Sequence, residues 1–127
     1  MPQASTGPIL EKIGQMIADI LDGEPEGAFM TAEAGEAWVE ASIFKDLGDR
    51  VLFRGPDVAL FEALLELREA EEPNKRWTTM SFTINNGRFD AQFGYDDDVD
   101  QNEIGFERRE RLLAERYGDK LVDYSEA

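Results

Sequence analysis

The chain has 127 residues, 13 basic against 28 acidic side chains, a net charge of −15, and neither histidine nor cysteine. A field of that sign repels nucleic-acid phosphate and anionic lipid, and it attracts cations and basic proteins. Without His or Cys there is no imidazole-assisted nucleophile, no disulfide and no soft-ligand site for zinc, copper, haem or iron–sulfur.

Taken in chain order, the first element reads as a helix. Pro8 suits the first helical position and Gly23 the residue beyond the end. Between them Ile9, Ile13, Met16, Ile17, Ile20 and Leu21 recur at helical spacing as one apolar stripe, the mark of a core-packing face. Glu11, Lys12 and Asp19 interrupt the apolar residues, no basic leader precedes them, and no stretch nears the roughly 20 apolar residues of a membrane span. A cytoplasmic protein without a membrane segment is therefore expected.

Residues 23–35 carry Gly and Pro punctuation and predict a loop entering a strand near Ala28–Glu33. Glu36–Phe44, rich in Trp, Val, Ile and Phe, predicts a second strand; Gly48-Asp49 predicts a turn into a third over Arg50–Arg54. Gly55-Pro56-Asp57 opens a helix expected to run to about Glu71, with Leu60, Phe61, Leu64, Leu65 and Leu67 as its buried face. Pro73 ends it, because the residue before proline is pushed out of the α region.

The next segment predicts its own pairing. Asn86-Gly87 suits a type I′ turn, which needs positive φ at both central residues. With the turn there, Ile84 faces Phe89, Phe82 faces Ala91, Met80 faces Phe93 and Thr78 faces Tyr95, while Thr83 meets Asp90 and Ser81 meets Gln92. Apolar meets apolar and polar meets polar, and a one-residue slip destroys the match. A last helix is expected from about Asn102 to Tyr117, with Phe106, Leu112, Leu113 and Tyr117 inward and Arg108, Arg109, Arg111 and Arg116 pairing with Glu107, Glu110 and Glu115 along its surface. From about residue 119 a short polar tail is expected. The whole predicts a single α+β domain over 1–127: one mostly antiparallel sheet, meander plus hairpin, with three helices over a face, in the order α-β-β(-β)-α-β-β-α.

Just past the hairpin lie Asp96, Asp97, Asp98 and Asp100, with no cation among them. Such a cluster is either a solvated loop favouring the positive end of the following helix, or a contact surface that steers a basic partner inward. Trp77 and Trp38, if exposed, would serve as anchors of that contact. A third reading is calcium: Asp96, Asp98, Asp100 and Glu107 fall at ligand positions of an EF-hand-type loop, although Gln101 stands where the turn requires Gly and a strand leads in. Paired aspartates also suit Mg²⁺ hydrolysis, but no phosphate loop or nucleophile motif accompanies them, so no catalysis and no cofactor are expected.

One run of residues goes further: Lys75-Arg76-Trp77-Thr78-Thr79-Met80-Ser81-Phe82-Thr83-Ile84, then Gly87 and Phe89 at the turn, then Phe93, Tyr95, Asp96 and Asp97 at the hairpin's end. On these residues the chain resembles the YezG-like bacterial immunity (antitoxin) family. Before these stands an acidic helix with Leu64-Leu65, Leu67 and Arg68; the similarity spans roughly residues 56–117 and is architectural before that. The resemblance implies a non-catalytic protein that binds and neutralises a cognate toxin. The expected partner is thus a toxin or other basic protein, not nucleic acid or membrane, with self-association left open. The residues expected to meet it are Asp96, Asp97, Asp98, Asp100 and Trp77.

Overall fold

The computed structural model describes residues 6–35, 38–71, 76–95 and 105–123. Along them run α1 (Thr6–Ile20), β1 (Ala28–Gly35), β2 (Trp38–Asp46), β3 (Val51–Arg54), α2 (Val58–Glu69), β4 (Thr79–Asn85), β5 (Arg88–Gly94), α3 (Gly105–Tyr117) and β6 (Val122–Asp123). The strands make one sheet in the order β5-β4-β1-β2-β3-β6, antiparallel except where β6 lies parallel to β3. This is the α+β architecture that the order of elements predicts.

Alternation along the strands divides the sheet into two unlike faces. Met30, Ala32 and Ala34 of β1, Ile43 of β2, and Met80, Phe82 and Ile84 of β4 point to one side. There they meet Ile9, Ile13 and Ile17 of α1 and Leu60, Ala63, Leu64 and Leu67 of α2. Phe29, Phe44, Phe53 and Val51 point to the other side, under Leu113, Leu112 and Tyr117 of α3. Phe29 and Phe44 face each other across β1 and β2 with ring centroids 6.4 Å apart. The three helices therefore do not share a face: α1 and α2 cover one, and α3 covers part of the other.

Local chemistry fixes the ends of these elements. The Asp57 side chain accepts from the Leu60 N–H at 2.8 Å and caps α2, satisfying one of the donors every helix start leaves over. Past α1, Gly23 takes φ +82° and its N–H donates to the Ala18 carbonyl at 2.7 Å.

The expectation of all helices over one face is thus corrected, and three more are as well. Phe61 is not in the buried face of α2: a helix turns about 100° per residue, which carries Phe61 from the centre of the arc at Leu60 to its rim. The basic side chains of α3 do not simply pair along their own helix. Arg108 donates to Thr31 Oγ1 at 2.7 Å, Arg109 to Ser42 Oγ at 3.5 Å, and Arg116 lies 4.6 Å from the centre of the Phe29 ring. The Arg111–Glu115 pair at 3.2 Å does follow the expected pattern. Finally, the segment expected as a polar tail returns to the sheet: Val51 N–H donates to the Leu121 carbonyl, Arg50 pairs with Asp123 at 3.1 Å, and Lys120 with Asp46 at 3.0 Å.

Candidate partner-binding surface

The hairpin of β4 and β5 has the register its sequence dictates. Ile84 pairs with Phe89, Phe82 with Ala91, Met80 with Phe93, Thr83 with Asp90 and Ser81 with Gln92. Asn86 and Gly87 take φ +55° and +73°, the type I′ signature. The ladder ends at Thr79 and Gly94, so Thr78 and Tyr95 are not a rung, although the Thr78 N–H still donates to the Gly94 carbonyl at 2.9 Å.

Two carboxylates clamp this hairpin, one at each end. At the turn, Glu26 accepts from the Asn86 N–H at 2.6 Å and the Gly87 N–H at 3.2 Å, tying the tip to the loop before β1. At the base, the two oxygens of Glu71 take the Trp77 N–H at 2.9 Å and the Tyr95 hydroxyl at 2.7 Å. Arg68 of α2 donates to the Trp77 carbonyl at 3.1 Å. Burial and the neighbouring Glu71 push the Tyr95 phenol up to about 12, so it stays a neutral donor. The residue before Asp96 is thus pinned to the end of α2. Neither carboxylate is signalled by any local pattern in the sequence.

Asp96, Asp97, Asp98 and Asp100 lie outside the described residues, as does the side chain of Glu107, so the acidic loop and the calcium set both fall there. Trp38 begins β2, but its side chain also lies outside them. Trp77 is corrected: it is fully buried in the core, 6.2 Å from the Phe93 ring, and offers nothing to a partner. The bonds from Glu71 and Arg68 hold its backbone against α2 and turn the indole inward. Its Nε1 has no hydrogen-bond partner among the described residues. Among those residues no group of three or more acids is placed to hold a metal ion, and no helix is long and apolar enough to cross a membrane.

Acids outnumber bases 28 to 13 in the chain, and several of the cations are already engaged. Arg108, Arg109 and Arg116 are directed onto the sheet, and Lys12, Lys45 and Lys120 contact Glu66, Glu24 and Asp46. The cleft beneath α3, about 160 Å³ and lined by Thr31, Glu33, Glu40, Ser42, Arg108 and Arg109, holds two acids and two guanidiniums, so it adds no net charge. The outer side of α2 differs. Val58 and Phe61 are 73% and 36% exposed, and beside them the half-buried Leu65 lines a groove with Glu62, Glu66, Glu69, Ile9 and Ala70. The spacing of that outer stripe is present in the sequence but merges there with the core-facing leucines.

In comparisons with known proteins, no family model matches the chain. No curated protein matches it either.

Proposed function

We propose that this chain is a non-catalytic, cytoplasmic immunity-type protein that binds and neutralises a basic bacterial toxin in a stoichiometric complex. The observation that carries the reading is the charge: −15 over 127 residues, with much of the small basic complement turned onto the sheet or held by acids. A nuclease toxin must be basic to engage phosphate, so an acidic inhibitor complements the surface that such a toxin cannot dispense with. The resemblance over residues 56–117 supports the same role. Asp96, Asp97, Asp98 and Asp100, which follow directly on the clamped base of the hairpin, are proposed to lead the encounter.

The test is recovery of partners from source-cell lysate on the tagged protein at low and moderate salt, followed by stopped-flow association with whatever is captured. One basic protein in equal amount is expected, with an association rate that falls at least about tenfold as salt rises and a dissociation rate that hardly changes. Replacing the four aspartates by asparagine should slow association in the same way. Capture of no basic protein, or an association rate indifferent to salt, overturns the proposal. A saturable rise of the melting temperature with calcium, lost in Asp98→Asn, would favour the metal reading instead.

A further inference from the structure

A surface helix that covers a sheet has one apolar arc to bury and normally turns polar residues outward. Helix α2 buries Leu60, Ala63, Leu64 and Leu67, yet it carries a second apolar stripe on its solvent side. Val58, Phe61 and Leu65 stand there at i, i+3 and i+7, the first two among the most exposed large apolar side chains described. Beside them Glu62, Glu66 and Glu69 make a parallel acidic stripe, again at helical spacing. Leu65, Ile9 and Ala70 line the groove between α1 and α2, the three glutamates form its acidic rim, and Val58 and Phe61 stand outside it on the open face of α2. On that rim Lys12 reaches Glu66 at 3.7 Å, both side chains being about half exposed, and among the described residues no cation pairs with Glu62 or Glu69.

We propose that this outer face of α2, from the apolar stripe to the acidic one, is the docking site for a cationic amphipathic helix of the basic partner, laid with its apolar stripe on Val58, Phe61 and Leu65 and its lysines or arginines over Glu62, Glu66 and Glu69. The inference rests on the basic-partner reading and adds to it a surface and the form of the docking segment. Apolar side chains at i, i+3 and i+7 form the ridge against which an amphipathic helix packs. Charge selects the occupant. A second copy of this chain would bring a like acidic stripe and another −15 to the contact. Anionic lipid is repelled by the same rim, whereas a cationic helix satisfies both stripes at once.

The test uses two synthetic peptides of identical leucine and lysine content, one with leucines at i, i+3, i+4 and i+7 and one with the order scrambled. Each is titrated into the isotopically labelled full chain at low salt. The helical peptide should bind at least about tenfold more tightly than the scrambled one and shift the amides of Ile9 and of residues 58–70. Phe61→Ser, and separately Val58→Ser, should each weaken it several-fold while leaving the circular dichroism unchanged, since both side chains are exposed. Equal affinity for the two peptides, or amide shifts confined to other surfaces, overturns this docking proposal while the basic-partner reading stands. If neither peptide binds and lysate yields no basic protein, both fail.

Discussion

Glu71 accepts from two donors at once, and its consequences are readable at a single phenol. Its carboxylate bonds the Tyr95 hydroxyl at 2.7 Å, and Tyr95 titrates near 12, chiefly because it is buried and secondarily because of that carboxylate. Glu71→Gln should therefore bring the Tyr95 titration back toward the ordinary value without reaching it, because the larger cause remains; ultraviolet titration of the tyrosines reads this directly. The same change should cost about 1–2 kcal/mol in urea unfolding, because the amide keeps one acceptor oxygen, now neutral, and presents an NH₂ donor where the other oxygen accepted. Nothing in the sequence exposes this clamp, because Glu71, Trp77 and Tyr95 meet only after α2 and the hairpin have packed. Trp77 shows the converse: large and apolar in a polar stretch, it suits an anchor as well as a core residue, and only the packing decides.

Elements were legible where period and turn chemistry agreed. The hairpin register follows from alternation on both strands together with Asn86-Gly87, so that each rung is fixed by two independent signals. Gly87→Ala places a side chain at φ +73° with no steric obstacle nearby, which isolates the backbone cost. A loss of about 1 kcal/mol and a fall of about 4 °C in Tm are expected by calorimetry, with the register unchanged by amide exchange. Helix α2 was legible as a helix but not as a two-faced one, since Phe61 lies only one residue from Leu60 and periodicity alone cannot place the boundary of the arc. The contacts of α3 were illegible for a different reason. Arg108 and Arg109 find Thr31 and Ser42 across the fold, whereas sequence offered the glutamates next to them. Strand β6 is two residues held by partners some 70 positions away, and no local pattern encodes such a pairing. The acidic loop, the feature most evident in the sequence, falls outside the described residues.

For the whole molecule, pH dependence follows from groups the fold holds away from their ordinary values. The Tyr95 phenol is raised to about 12 by burial and Glu71, and Tyr117 is raised by burial against the opposing pull of Arg116. A raised phenol binds its proton more tightly when folded, so this contribution is whole below pH 10 and is lost as pH climbs toward about 12. At the acid end, the Gly48 N–H and then Lys120 hold the Asp46 carboxyl below its usual 3.8. That contribution is present above 3.8 and disappears as pH falls through the folded value. Melting temperature measured across pH should thus decline on both limbs, the acid limb being flattened in Asp46→Asn and the alkaline one in Tyr95→Phe. A decline that neither variant alters would mean that the contacts contribute nothing.

The return of the chain to β3 has one more outcome. Every sheet that is not closed into a barrel ends in two strands able to recruit a neighbour, and here those strands are unequal. Among the described residues one end, β5, offers seven residues, and the other, β6, two. A polymer needs a donor edge and an acceptor edge on each subunit, and a two-residue strand is too short to supply one of them. Accretion through β5 alone can join one molecule to one other and then has nowhere to continue. Among the described residues, the small parallel strand thus leaves β5 as the long edge of the sheet open to pairing.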